Sequence, residues 1–232
     1  MEHTMQVIAR IRSDFPTKFG IPRQAGLVPE LRAEIVFEPA YRSEDALRGL
    51  DGFSHLWLIW EFSQAVRSDW SPTVRPPRLG GNERIGVFAS RSPFRPNPIG
   101  LSCVKLEEIR RTAHDGTVLV VSGADLMDGT PIYDIKPYLP YADAHPEAIG
   151  GFANAAPEAA LTVNCPPALL ARIPRDRRAA LLGVLAHDPR PSYQDDPERV
   201  YGMGFAGFDV RFRVDGTSLT VCEIEKIKTE EI

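Results

Sequence analysis

Between Gly86 and Leu101 the chain reads GVFASRSPFRPNPIGL, which sets Arg91, Arg95 and Asn97 among Pro93, Pro96 and Pro98. Each proline fixes its own φ and removes an amide donor, and it drives Ser92, Arg95 and Asn97 away from the α region. The connection is therefore stiff before any ligand arrives, and its polar side chains project from a rigid rim. Arginine offers a planar fork of donors and asparagine offers both donor and acceptor, a set suited to a planar or anionic ligand. A proline-braced surface turn with solvated arginines fits the same residues. From Arg67 to Lys105 the basic residues are Arg67, Arg75, Arg78, Arg84, Arg91, Arg95 and Lys105, against only Asp69 and Glu83. A local basic face is thus available to phosphates, although the whole chain carries a formal net charge of −4 and is not coated for nonspecific nucleic-acid binding.

Three further stretches carry polar groups on turns. Phe19 to Pro29 holds Gln24, Ala25 and Gly26. The glycine lets backbone approach a ligand, and the glutamine suits an adenine edge or a carboxylate, but in isolation the stretch is simply a loop. Asp128-Gly129-Thr130-Pro131 is a tight turn in which Asp128 and Thr130 could equally cap their own backbone. DPRPSY, from Asp188 to Tyr193, offers charge and a stacking ring to RNA, and reads equally well as a proline-rich turn. Cys103, Cys165 and Cys222 are far apart, and the five histidines are scattered, so neither a disulfide framework nor a metal site is expected.

The elements that must position these groups are mostly strands. Met5–Ile11 alternates apolar and polar residues, Glu34–Phe37 reads as a second strand, and His55–Phe62 (HLWLIWEF) is almost continuously apolar, which predicts a buried strand ending at Ser63 and Gln64. Ser43, with Glu44 and Asp45 behind it, predicts a two-turn helix closed by Gly49. The prolines and glycines of Trp70–Asn82 predict a long ordered loop. Strands Ile85–Ala89 and Leu101–Leu106 flank the proline loop, and Asp115-Gly116 turns the chain into a strand over Thr117–Val121. Tyr141–Ala160 shifts to alanine, proline and glycine and reads as a connection. A helix over Arg175–Ala186 and a hairpin of Phe208–Val214 with Leu219–Ile224 follow. No GxGxxG follows a strand, so a Rossmann site is not indicated. The expected fold is mainly β: an N-terminal β-barrel at residues 1–140, an Ala/Pro-rich linker at 141–163 and a small C-terminal α+β module at 164–232. With no run of about 18 apolar residues and no signal-type N-terminus, the chain is expected to be soluble and cytoplasmic, with no membrane partner.

GVFASRSPFRPNPIGL, together with KFGIPRQAGL, FSHLW, TVRPPRLGGN, DGTPIYDIKPY and DPRPSY in that order, resembles the TrmO/TsaA-type family of tRNA methyltransferases. The resemblance implies a β-barrel enzyme, S-adenosylmethionine as cofactor, tRNA as partner and a homodimer. It implies methyl transfer to N6 of threonylcarbamoyladenosine immediately 3′ of the anticodon. It also implies cofactor contacts from Gln24, Ala25, Gly26, Ser63, Gln64, Arg91, Leu101, Asp128, Gly129, Thr130 and Pro131. On the same grounds Arg95, Asn97, Lys136, Asp188, Arg190 and Tyr193 would meet tRNA. Asp134 and Asp128 are acids by type, but an acid beside arginines has a lowered pKa and serves poorly as a base. A noncatalytic S-adenosylmethionine- or RNA-binding module, or a methyltransferase for another small substrate, uses the same groups.

Overall fold

The computed structural model describes residues 4–154, 161–190 and 196–228. Its first half contains β1 (Ala9–Arg12), β2 (Arg32–Phe37), β3 (His55–Glu61), β4 (Thr73–Val74), β5 (Ile85–Gly86), β6 (Ile99–Thr112), β7 (Gly116–Ser122) and β8 (Pro131–Pro137). Six of these close a barrel in the order β1-β2-β7-β6-β3-β8, and every pair in it is antiparallel. Period-two alternation explains the closure, since one face of each strand fills the interior. In β3 that face is Leu56, Leu58 and Trp60, while Trp57 and Ile59 turn outward and are half-covered, so the run HLWLIWEF is one-sided rather than wholly buried. Ile11, Ile35, Val104, Leu119 and Ile132 pack against Leu56 and Leu58.

Because neighbouring strands run in opposite directions, the C-terminal ends of β1, β3 and β7 share one rim with the N-terminal ends of β2, β6 and β8. The connections 13–31, 62–98 and 123–130 all cross that rim. The opposite rim carries residues 38–54 and 113–115.

Several local expectations change. The strand over Leu101–Leu106 runs instead from Ile99 to Thr112, with a register shift between Leu106 and Glu108, because it continues beyond the barrel wall as a hairpin with β7. Only Ile85–Gly86 of Ile85–Ala89 is strand, and a 3₁₀ turn over Val87–Ala89 follows. The loop Trp70–Asn82 contains β4, which pairs with β5. Ser43 makes no capping hydrogen bond, and the predicted helix is a single 3₁₀ stretch, Glu44–Leu47, with no buried residue. Of this stretch only Leu47 packs against the barrel core, and capping signals without a wider apolar face do not sustain a helix.

The C-terminal part adds α1 (Pro140–Asp143), β9 (Thr162–Asn164), α2 (Pro167–Leu170), α3 (Arg178–Ala186), β10 (Tyr201–Phe205), β11 (Phe208–Asp215) and β12 (Ser218–Lys226). The helix predicted from Arg175 begins as a 3₁₀ turn, and α3 buries Ala180, Leu181, Val184 and Leu185. Thr162 and Val163, placed in the linker by composition, pair in parallel with β12. Phe15, Val28 and Leu31 from the 13–31 connection belong to this module's core. Phe15 meets Phe205 edge-on at 5.6 Å, and Arg177 bridges to Asp14 at 3.2 Å and donates to the Arg32 carbonyl at 3.2 Å. The module is therefore fastened to a connection of the rim.

Candidate active site

The rim gathers residues that are distant in sequence. Gly26 N donates to the Gly123 carbonyl at 2.8 Å, and Gly123 N donates to that of Leu31 at 2.8 Å, which ties the first connection to the end of β7. Gly26 and Gly123 have φ of +80° and +74°, and a Cβ on Gly123 would lie 3.2 Å from the Gly26 Cα. A side chain at either position would be strained. Across the gap, Arg91 of the proline loop donates from Nη1 to Gln24 Oε1. Gln24 and Ala25 are half-buried, whereas Gly26 and Arg91 are exposed.

Beneath these groups lies an acid that the sequence reading did not single out. Ser102 is buried in β6; its Oγ accepts from Trp60 Nε1 at 3.0 Å and donates to Asp125 Oδ1 at 2.6 Å. Burial pushes the Asp125 carboxyl above its ordinary value; hydrogen bonds from Ser102, its own backbone N–H and that of Ala25, and the positive charge of Arg91, pull the other way. The signal in the sequence was an acid between Ala124 and Leu126, both buried, directly after a strand end. Nothing local marks its partners, which come from positions 25, 91 and 102.

The proline loop braces itself. Arg95 Nη1 donates to the carbonyls of Ser90 at 2.9 Å and Ser92 at 3.4 Å, and Ser90 Oγ donates to that of Val87 at 2.8 Å. Part of the Arg95 guanidinium thus holds loop shape rather than facing outward, while Asn97 is exposed. Ser63 and Gln64 lie exposed just past β3, where Phe62 N donates to the Pro98 carbonyl at 2.7 Å, so they border the end of the proline loop.

The Asp128 turn is fixed to β1. Asp128 Oδ1 accepts from Ser13 N at 2.9 Å, Gly129 N donates to the Ile11 carbonyl at 2.8 Å, and Thr130, buried, donates from Oγ1 to the Met127 carbonyl at 2.7 Å. Asp128 therefore holds a neighbouring strand end rather than its own backbone. Pro131 is buried and faces Arg10 in the ladder.

Four predicted residues lie elsewhere. Leu101 points out of the barrel wall, 55% exposed, between the inward-facing Gly100 and Ser102. Lys136 sits toward the far end of β8 opposite Trp57 and pairs with Asp134 at 3.1 Å, which also removes Asp134 from the rim. Asp188 and Arg190 bond one another, with Nε to Oδ1 at 2.9 Å and Nη2 to Oδ2 at 3.0 Å. Tyr193 lies outside the described residues.

The rim's chemistry fits a zwitterionic, cationic cofactor such as S-adenosylmethionine. Arg91 suits a carboxylate, backbone carbonyls of the rim suit an ammonium or hydroxyls, and Gly26, with open space where a Cβ would stand, admits close approach of backbone.

A family model of the tRNA-methyltransferase O N-terminal domain matches residues 10–144, and one of the TrmO C-terminal domain matches residues 159–227. The tRNA (adenine(37)-N6)-methyltransferase of Escherichia coli (strain K12) is 44% identical over 227 residues, spanning 94% of this chain and 96% of its own. A Pseudomonas aeruginosa relative, named as an S-adenosylmethionine-dependent methyltransferase, is 42% identical over 219 residues, covering 91% of this chain and 93% of its own. A crystal structure of TrmO from P. aeruginosa superposes with a TM-score of 0.79 at 36% identity, covering 97% of this chain and 98% of that one.

Proposed function

Because the chain belongs to the tRNA-methyltransferase O family, we propose that it methylates N6 of the tRNA adenosine immediately 3′ of the anticodon, when that adenosine carries a threonylcarbamoyl group. The observation that carries this reading is the convergence of three connections on one rim, where Arg91 donates to Gln24 and Gly26 is tied to Gly123 above the buried Asp125. S-adenosylmethionine, when bound, supplies an electrophilic methyl group on its sulfonium. The chain's own part is placement, and aligning two bound reactants lowers a barrier by about 7–11 kcal/mol.

Arg91 would hold the cofactor carboxylate with the guanidinium that now donates to Gln24. Gln24, Ala25 and Gly26 bring backbone and amide against the cofactor, and Ser63, Gln64 and the Asp128–Pro131 turn close the sides. Trp60 and Ser102 hold Asp125 in place, and Asp125 fixes the Ala25 backbone. Asn97 faces the modified base on the outer side, with Arg95 keeping the loop in shape.

The RNA role of Asp188, Arg190 and Tyr193 extends this reading to the C-terminal module, in which β9 (Thr162–Asn164) pairs with β12. Leu101, outside the wall with Ile99, joins the site in a homodimer in which the outer faces of two barrels meet. The enzyme works in the cytoplasm, where its tRNA substrate is found.

The test incubates methyl-labelled S-adenosylmethionine with tRNA that carries the threonylcarbamoyl group. Label in that nucleoside is the expected outcome. Binding of both ligands without transfer identifies a noncatalytic binding module, and transfer to a small molecule that tRNA does not compete with identifies a different substrate.

A further inference from the structure

The second rim connection carries a feature that the cofactor site does not use. β4 and β5 form a two-stranded ribbon, with Thr73 opposite Gly86 and Val74 opposite Ile85. Val87 N donates to the Pro72 carbonyl at 2.9 Å, which extends the pairing by one step. The 3₁₀ turn over Val87–Ala89 that follows buries Val87 and leaves Phe88 outward, 74% exposed. Trp70, at the other foot of the ribbon, is 53% exposed, and its ring lies 6.2 Å from that of Phe88 with the planes 31° apart. Nearby, the Arg67 guanidinium lies over the Phe94 ring at 3.8 Å, and Arg75 and Arg84 are exposed on the ribbon.

Leaving two large rings in water, tilted 31° to one another, has a cost that burial against a partner removes. Unpaired nucleobases stack on such rings, while the interleaved arginines meet the phosphates between them. A second copy of this basic ribbon would bring like charges together, whereas a polyanion neutralises them. We infer that Trp70 and Phe88 form a stacking platform for unpaired bases of the anticodon loop, three residues along the chain from Arg91. The platform rests on tRNA being the substrate, and it adds two base contacts to the proposed site.

The experiment measures binding of an anticodon stem–loop, with and without its loop closed into a duplex, by wild type and by Trp70→Ala, Phe88→Ala and Phe88→Tyr. Each alanine variant should bind the open loop about 10-fold more weakly. Phe88→Tyr should keep wild-type affinity, the duplex should bind equally to all four proteins, and S-adenosylmethionine affinity and the unfolding midpoint should not change. Unaltered loop affinity in both alanine variants overturns the platform. So does a changed oligomeric state at constant RNA affinity, which would make the rings a self-association contact, and so does parallel loss of cofactor binding, which would make them a support of the pocket. Wild type with no affinity for the loop overturns it as well. Failure of the methyl-transfer reading shows separately, as wild type that binds tRNA without methylating it.

Discussion

The Asp125 carboxyl is held by Ser102, which is itself held by Trp60, so one buried chain of donors joins the barrel interior to the rim. Its raised pKa has a definite sign for stability. The folded protein keeps the Asp125 proton to higher pH than the unfolded chain, whose ordinary value is near 3.8. The contribution is fully present below that value and is lost as pH rises through the folded-state pKa. Asp125→Asn should remove this loss. Thermal midpoints measured across acid to neutral pH should show the variant gaining on wild type over that window and then holding a constant difference. A constant difference at every pH would contradict the assignment. Asp14, also raised by burial and opposed by Arg177, leaves a residual slope of the same sign in both proteins. At this scale the roles of two predicted residues shift: Arg95 braces the proline loop and Asp128 caps the β1 end.

Among the elements, β6 and β3 meet where Gly100 faces Trp60. A Cβ on Gly100 would lie 2.2 Å from the indole, so the tryptophan occupies the space that any larger residue would need. Gly100→Ala should cost about 1–3 kcal/mol by overpacking and shift Trp60 away from Ser102; urea unfolding and near-ultraviolet circular dichroism read the two effects. Much of this layer was legible in the sequence, because alternation in β1, β11 and β12 follows directly from which residues are apolar, whereas the continuous apolar run of β3 hid which face turns inward. The extent of β6 was not, since past Leu106 it runs through Glu107, at the register shift, and through Glu108, Arg110 and Arg111, which carry no core signal and are held by pairing with β7. The brief helix after Ser43 was misread for the opposite reason: its caps are local, but helices are sustained by packing. Gln24 and Gly26 were legible as candidates only through resemblance, Arg91 also through the composition of the proline loop, and Asp125 was hidden because its partners are assembled by the closed barrel.

At the level of the whole molecule, the 13–31 connection is wedged between the barrel rim and the C-terminal module, giving Gln24–Gly26 to one and Phe15, Val28 and Leu31 to the other. The module therefore steadies a wall of the proposed cofactor site. The outer face at Ile99 and Leu101, 38% and 55% exposed, is the proposed seat of a second copy. Leu101→Glu should leave the chain folded, lower its sedimenting mass to that of one chain and weaken S-adenosylmethionine binding about tenfold; undiminished affinity in a proven single chain would remove the dimer from the account. The central claim, that this rim is where S-adenosylmethionine and tRNA are joined, meets its most direct test in mass spectrometry of tRNA nucleosides after incubation with the cofactor and either wild type or Arg91→Ala. Wild type should convert threonylcarbamoyladenosine to its N6-methyl form, while Arg91→Ala, folded and still binding tRNA, should lose at least tenfold in conversion at limiting cofactor. Equal conversion by the two proteins would contradict it.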